Sequence, residues 1–413
     1  MNWKKLITVF LFIAFFCGLI FIIRKDDKPH VADEPLKESE EDVRIKPEEV
    51  RGVWMSYLEL DTILKGKSRE EYTDEVKKVI KNLKDLNLNT VILQVRPYSD
   101  AIYSSRYFPW SYYCSGEEGK ALDYDPLKIF ISMAHRDEIA VHGWINPFRV
   151  RSANSTFTIS DTNPAFKWMN DDSYNVIKWN EGVYYNPGSA EVRELIVSGV
   201  KELVENYNVD GIHFDDYFYP ATDADFDRKS YENYLSSGEG LELADWRREN
   251  INILVKDVYA AIKAVDDSVV FGISPQGSMN NNYNSQYIDV EKWISQKGYV
   301  DYLCPQIYYG FKNENGDFKS IADSFNNMVK VQGVKLYTGL AVYKSGMEDS
   351  WAGSGRYEWI EDSSIIGRQI DTSMKLSNYG GFLLFRYDSL FRPEESKEQI
   401  INDVKNQIKN SKK

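Results

Sequence analysis

The sequence predicts one α/β domain, a (β/α)8 TIM barrel with long strand-to-helix loops, preceded by an N-terminal transmembrane helix. Eight short apolar runs of strand length recur between residues 52 and 388, and segments of helical periodicity separate them. The segments that follow the runs are long, whereas the links that lead into them are short. This asymmetry is typical of barrels that build a site from the loops on one face.

The predicted strands are runs rich in β-branched, aromatic and other apolar residues, and turn-forming or polar residues bound them. Because helical segments alternate with the runs, we expect the strands to lie parallel and to close into a barrel. The runs cover residues 52–58, 90–96, 140–146, 211–215, 269–274, 302–308, 336–342 and 381–388.

Two of the intervening helices are clear from apolar residues spaced three and four apart. One covers residues 74–86 with Thr73 as its N-cap, and the other covers residues 190–207 with Ser189 as its N-cap. The long segment 147–188 that follows the third run is rich in aromatic residues. We expect it to form a lid or a wall against a substrate.

Side chains alternate along a strand, so each run has an outer and an inner face. In the run 211–215, Ile212 and Phe214 face outwards, whereas His213 and Asp215 face inwards. The same rule places polar and aromatic residues on the inner faces of the other runs, near their C-terminal ends, where burial without partners is costly. The predicted inner residues are Trp54, Ser56, Gln94, Arg96, His142, Trp144, Asn146, Ser274, Gln276, Cys304, Gln306, Tyr308, Tyr343, Arg386 and Asp388.

Carboxylates, amides, arginine and aromatic rings at a barrel mouth fit the cleavage of glycosidic bonds by paired carboxyl groups. Asp215 is the expected charged carboxylate, kept ionised by Arg96 or His213; alternatively, Arg96 forms an internal ion pair that serves folding. Trp144 is expected to stack on a sugar ring. The remaining expected substrate-binding residues are Asp100, Asn146, Tyr217, Gln276, Gln306, Tyr308, Arg386 and Asp388.

The alternation of side chains along the strands does not identify the second catalytic carboxyl group. Asp216 is the first candidate, but on a regular strand it points away from Asp215, so it joins the site only if the backbone turns at the strand end. Asp100 and Asp388 follow other strands and are its rivals. Asp100 has an alternative interpretation as the cap of a turn.

Composition and motifs exclude several other classes of protein. A net charge of −13 argues against nucleic-acid binding. The four histidines show no metal-ligand spacing, and neither a Gly-rich phosphate loop nor a nucleophile elbow occurs, so we expect no metal and no cofactor. The 10 Trp, 28 Tyr and 20 Phe fit a protein that stacks sugars, although an aromatic-rich core is the alternative.

The N-terminus carries an unbroken apolar or small-residue run at 6–23, flanked by lysine and arginine on both sides. Its length is just sufficient to span a bilayer. No small-x-small cleavage site follows closely, so we expect residues 1–25 to be an uncleaved signal-anchor, with a cleaved signal peptide as the alternative. Residues 26–50 are charged and proline-containing and predict a disordered stalk. The barrel, residues 51–410, is then expected outside the cytoplasm as part of a single-pass protein of the cell membrane.

Six motifs together resemble the glycosyl hydrolase-like 10 family. They are the segments 51–55, 94–104, 143–149, 186–188, 211–220 and 305–308. The resemblance implies a (β/α)8 barrel that acts on bacterial cell-wall glycan as a peptidoglycan glycosidase. The chain departs from the family at Asn186, where the family usually has Asp before Pro-Gly. Compared with chitinase-type barrels, Tyr217 stands at the place of the acid Glu, and compared with amylase-type barrels strand five offers no acid Glu.

Three hypotheses on function follow. The first is a membrane-anchored glycosidase of peptidoglycan. The second is a catalytically silent glycan-binding barrel that positions other cell-wall proteins, and the third is a hydrolase of an exogenous polysaccharide. The inner-face carboxylates favour an enzyme, and the apolar anchor favours a substrate within reach of the membrane.

Overall fold

The computed structural model describes residues 44–171, 173–238 and 240–411. Eight parallel strands of this part of the chain form a closed barrel in which the chain order is kept around the ring, as the sequence predicted. In chain order all strands are β1 Val50–Met55, β2 Thr90–Arg96, β3 Ala140–Ile145, β4 Arg149–Arg151, β5 Val176–Trp179, β6 Gly182–Tyr185, β7 Gly211–Phe214, β8 Val270–Ile273, β9 Tyr302–Leu303, β10 Lys335–Leu340 and β11 Tyr379–Leu384. Strands β4, β5 and β6 form a separate antiparallel sheet.

Helices follow the strands, and several begin at capping residues. Ser189 caps the helix Ala190–Asn206 as predicted, whereas the helix predicted to start after Thr73 begins at Arg69, one turn earlier. There Ser68 and Glu71 form a capping box, which satisfies backbone N–H groups that Thr73 does not reach. The helices are Tyr57–Ile63, Arg69–Asp85, Tyr112–Ser115, Pro126–Arg136, Pro164–Met169, Ala190–Asn206, Arg228–Ser236, Leu243–Val265, Met279–Asn284, Val290–Ser295, Phe318–Met328, Glu358–Glu361, Ile365–Ser373, Tyr387–Phe391 and Glu398–Asn410.

The barrel interior is filled by side chains and is not a channel. Its apolar cluster contains large rings, and Tyr302 stacks on Tyr337 with ring centroids 4.4 Å apart. Gly272 leaves the room for Tyr302, because a Cβ atom at this position would lie 2.2 Å from the tyrosine ring. A substrate is therefore restricted to the mouth of the barrel.

The segment 147–188 forms the small sheet of β4, β5 and β6 instead of a lid rich in exposed rings. Phe148 and Tyr185 are buried and pack into the core, and the buried Phe157 packs on Tyr98 and Tyr112. From this segment of the described chain, Arg149 is the residue that lines the large cleft at the barrel mouth. Since none of the described aromatic rings of this segment lines the cleft, the expected aromatic wall against the substrate is wrong.

The folded chain begins before residue 51. Arg44 Nε donates to Asp266 at 2.8 Å, and the hydroxyl of Tyr379 donates to Glu49 at 2.7 Å, so residues 44–50, assigned to the stalk, pack on the barrel. The predicted anchor at 6–23 and the rest of the stalk lie outside the described residues. Within the described residues, no helix is both long and apolar enough to cross a membrane.

Candidate active site

A cleft of about 700 Å³ opens at the C-terminal mouth of the barrel. Residues at or just beyond the C-terminal ends of all eight barrel strands line it, as expected for a barrel enzyme. Among the predicted site residues, those that line the cleft are Trp144, Asp215, Asp216, Tyr217, Gln306, Tyr308, Arg386 and Asp388.

Asp215 and Asp216 both line the cleft although they are adjacent in sequence. Strand β7 ends at Phe214, so neither residue is bound by the alternation of a regular strand. The turn that the sequence left open is therefore present, and it brings Asp216 into the site. Asp215 is 3 % exposed, so its carboxyl group is largely shielded from water.

Three donors hold the Asp215 carboxyl group. The Trp144 indole Nε1–H donates at 3.0 Å, the Asn146 Nδ2 donates at 3.1 Å, and the backbone N–H of Tyr217 donates at 3.2 Å. Burial, followed by the charge of Asp216, raises the pKa of Asp215 to about 6, although Arg149 and the Trp144 bond oppose this shift. Asp215 is thus a carboxyl group that exchanges a proton close to neutral pH.

Asp216 is held by two side-chain amides. Gln276 Nε2 donates to one carboxyl oxygen at 3.0 Å, and Gln306 Nε2 donates to the other at 2.9 Å. Burial raises the pKa of Asp216, and both amide bonds reduce the shift. Gln276, expected to bind substrate, therefore acts through Asp216. Asp215 and Asp216 thus both have a raised pKa, and the charge of Asp216 contributes to the shift at Asp215.

Arg149 is a site residue that the reasoning along strand ends missed. Its guanidinium donates to the Pro97 carbonyl from Nε at 3.2 Å and from Nη2 at 3.1 Å, and it lies 5.1 Å from the ring centroid of Tyr217. Its positive charge lowers the pKa of both Asp215 and Asp216. The sequence did contain a signal for Arg149, because it is the last residue of the motif 143–149. It lies beyond strand β3, however, so the alternation of side chains along the strand could not predict its direction.

A second polar group lies at the β11 side of the cleft. Arg386 forms an ion pair with Glu59, a carboxylate that is completely buried beneath the cleft, and lies 3.6 Å from Asp388. Burial and the charge of Glu59 raise the pKa of Asp388. Arg386 and Asp388 are therefore in the predicted place, and Glu59 is a partner that the sequence did not reveal.

Arg96 does not lie in the cleft, in contrast to the prediction. The pairing of β2 with β3 shifts register between Gln94 and Arg96, and this irregularity turns Arg96 to the outside of the barrel. Its guanidinium lies 3.5 Å from the ring centroid of Phe108, and Gly199 makes room for both, since a Cβ atom there would lie 2.5 Å from Phe108. Arg96 therefore neither binds substrate nor pairs with Asp215.

His213 faces the barrel interior as predicted, but it lies below the cleft and is fully buried. The Trp54 indole N–H donates to Nε2 at 3.2 Å, and an indole N–H can only donate, so the proton resides on Nδ1 and is donated to the Tyr302 hydroxyl at 2.8 Å. Burial lowers the pKa of His213 well below its usual range. A neutral His213 cannot keep Asp215 ionised, so this expectation is wrong.

Asp100 is also absent from the cleft. It is completely buried in the loop after β2, where its Oδ1 accepts the backbone N–H of Tyr98 at 3.2 Å. Burial raises the pKa of Asp100 to about 6. The alternative interpretation as a turn cap is therefore the correct one, and Asp100 is no rival for the second catalytic carboxyl group.

Trp144 lines the cleft but has a different contact from the one predicted. It is 7 % exposed, so little of its ring face is open to a sugar, and its N–H is used by Asp215. The most exposed aromatic ring that lines the cleft is that of Tyr217, which is 56 % exposed. Among residues 44–171, 173–238 and 240–411, no group of three or more His, Cys, Asp or Glu is placed to hold a metal ion.

A closed parallel barrel with paired carboxyl groups at its C-terminal mouth is the arrangement of barrel glycoside hydrolases. The chain belongs to the glycosyl hydrolase-like 10 family, whose model matches residues 49–352.

Two curated relatives share most of the chain. It is 36 % identical to the glycosyl hydrolase YngK of Bacillus subtilis strain 168 over 86 % of this chain and 72 % of that protein. It is 32 % identical to the glycosyl hydrolase DigH of Escherichia coli K12 over 76 % of this chain and 75 % of that protein.

Solved structures share the fold at low sequence identity. The PgaB (BpsB) glycoside hydrolase domain of Bordetella bronchiseptica aligns with a TM-score of 0.57 at 14 % identity, over 89 % of this chain and all of that domain. The catalytic domain of β-amylase from Paenibacillus polymyxa aligns with a TM-score of 0.54 at 12 % identity, over 89 % of this chain and 100 % of that chain. At these identities the likeness concerns the barrel alone.

Proposed function

We propose that the protein is a membrane-anchored, extracytoplasmic glycoside hydrolase that cleaves the glycan strands of peptidoglycan, with Asp215 and Asp216 as its catalytic carboxyl groups. The observation that carries the proposal is the pair itself. Two adjacent carboxyl groups line the mouth of the barrel, Asp215 buried and Asp216 partly exposed; both have a raised pKa, and each is held by separate hydrogen-bond donors.

The pair has the properties that glycosidic cleavage requires. A carboxyl group with a raised pKa is suited to donate a proton to the leaving oxygen, and an ionised carboxylate opposes the positive charge that develops at the sugar carbon. Arg149 and the amides of Gln276 and Gln306 stabilise the ionised form of the pair. The low exposure of Asp215 strengthens its interaction with this charge.

The choice of peptidoglycan is supported by the family and by the N-terminus. The chain belongs to the glycosyl hydrolase-like 10 family, and the apolar run 6–23 is long enough to hold the barrel near the cell wall. The exposed ring of Tyr217 and the charged groups of Arg149 and Arg386 line one cleft, which suits the apolar faces and polar edges of sugars.

Digestion of defined glycans tests the proposal. The full-length protein in detergent is incubated with purified peptidoglycan, with peptide-stripped glycan strands and with an α-glucan, and products are measured by mass spectrometry. New reducing ends from either wall substrate support the proposal. Cleavage of the α-glucan alone would replace it with the hydrolase of an exogenous polysaccharide, and retention on glycan without any product would favour the silent binding barrel.

A further inference from the structure

The loop that follows β10 presents an unusually exposed tryptophan. Trp351 is 82 % exposed, the largest value among the exposed large apolar side chains of the described residues. Met347 and Tyr357 of the same loop are 40 % and 49 % exposed. Since a large ring in water is unfavourable, exposed apolar groups that gather in one place mark a contact surface.

The loop is firmly braced, so the exposure of Trp351 is built into the fold. Lys344 Nζ donates to the Tyr308 carbonyl at 2.8 Å and lies 2.7 Å from Asp349. The backbone N–H of Asp349 donates to the Arg356 carbonyl at 2.9 Å. The carbonyl of Trp351 itself accepts a hydrogen bond from the side chain of Asn315. These contacts fix the backbone on both sides of Trp351, so its exposed ring belongs to an ordered loop.

Trp351 is close along the chain to the cleft. Met347, four residues earlier, lines the cleft, and four residues of extended chain span at most about 14 Å. The hydrogen bond from Lys344 to the Tyr308 carbonyl also connects the loop to another residue of the cleft. A chain that leaves the cleft on this side passes within reach of the indole ring.

The surroundings of Trp351 favour a sugar as its occupant. An indole offers a flat apolar face with an N–H at its edge, which complements a pyranose ring with an apolar face and a hydroxyl edge. Nearby charges include Glu348, Asp349 and Glu314, and Arg356 of this loop already pairs with Glu348, so an anionic membrane surface is disfavoured.

We propose that Trp351 forms a remote sugar subsite, which stacks on a ring of the glycan outside the cleft and gives the protein a preference for long chains. The proposal rests on the proposed function, because it assumes that the glycan occupies the cleft. The loop after β10 would then select substrates by chain length, a selection that the Asp215–Asp216 pair does not make.

The test compares chain lengths in Trp351→Ala, Trp351→Phe and, as a matched control, Phe166→Ala, which removes another exposed ring outside this loop. We expect Trp351→Ala to lower kcat/KM roughly tenfold on long glycan strands and to leave the shortest cleaved oligomer unchanged. Trp351→Phe should retain most of the activity on long strands, and Phe166→Ala should behave like the wild type at every length. An equal loss at all lengths, or no loss on long strands, overturns the subsite.

Retention on insoluble peptidoglycan separates this inference from the proposed catalysis. If the wild type cleaves nothing but its retention falls in Trp351→Ala and not in Phe166→Ala, the subsite stands and the proposed catalysis is wrong. If retention is the same in all variants and chain-length preference is also unchanged, the subsite is wrong. Loss of binding to phosphatidylcholine vesicles in Trp351→Ala, with glycan retention unchanged, would assign the ring to a lipid surface instead.

Discussion

The indole N–H of Trp144 donates to the Asp215 carboxylate across 3.0 Å and thereby connects strand β3 to the end of strand β7. These strands are neighbours in the barrel, and Trp144 pairs with His213, two residues before Asp215. The bond fixes the carboxylate at the mouth and stabilises its ionised form. Trp144 is therefore a positioning residue for the candidate catalytic group.

Asp215→Asn should abolish glycan cleavage while the barrel stays folded. The amide can still accept hydrogen bonds, but it neither exchanges a proton near neutral pH nor carries charge, so we expect a loss on the order of a thousandfold or more in kcat. Asp100→Asn is the matched control, because Asp100 is equally buried and also has a pKa of about 6 but lies outside the cleft. Similar losses in both variants would contradict the assignment.

The same variant should be more stable than the wild type at neutral pH. Because the pKa of Asp215 is raised from 3.8 to about 6, the folded protein binds the proton more tightly than the unfolded chain. The stability of the wild type therefore falls as the pH rises from about 4 to above 6. Asp215→Asn has no carboxyl group to ionise at this position and does not lose this stability. At pH 7, urea unfolding should give Asp215→Asn a free energy of unfolding roughly 1–3 kcal/mol above that of the wild type, and this difference should vanish below about pH 4. A gain of equal size at both pH values would exclude this cause.

Trp144→Phe should shift the pH dependence of catalysis. The variant keeps a ring but loses the N–H donor, so the pKa of Asp215 should rise and kcat should fall about 10- to 100-fold with little change in KM. The pH profile of kcat/KM reports the shift. Trp54→Phe is the control, since its N–H donates to His213 and not to Asp215. A pH profile unchanged in Trp144→Phe argues against the positioning role.

Arg149→Gln should raise the pKa of both catalytic carboxyl groups. Arg149 lowers the pKa of Asp215 and Asp216, so loss of its charge should move the pH profile of kcat/KM towards alkaline pH. Arg149→Lys keeps a charge at this position and should show a smaller shift. If both variants move the profile equally, the hydrogen bonds of the guanidinium to Pro97 matter more than its charge.

The N-terminal run 6–23 should retain the full-length protein in membranes. An apolar segment of this length partitions into a bilayer, so the protein should resist salt washing and be released by detergent. Protease added outside intact cells with a permeable wall should reach the barrel. A mature protein that begins after residue 25 and is free in the medium would show that the segment is a cleaved signal peptide.

The barrel was predictable because the periodic spacing of apolar residues, which extends over many neighbouring positions, specifies it. Runs of apolar residues alternate with helical stripes, and this alone specifies eight parallel strands and the end at which polar groups gather. Asp215, Gln306 and Tyr308 were placed at the cleft in this way, because each follows the C-terminal end of a barrel strand.

Two differences from the predicted site arise where the backbone departs from a regular strand. The register irregularity before Arg96 turned this side chain out of the barrel, and the end of β7 at Phe214 brought Asp216 into the cleft. Arg149 entered the site from the start of the short strand β4, outside the barrel strands on which the prediction depended. The sequence alone determined which strands form and which end carries the site, since hydrophobic burial is averaged over many residues. Only the tertiary structure decided which carboxyl groups meet and what shifts their pKa, because single turns, bulges and burial depth depend on contacts distant along the chain.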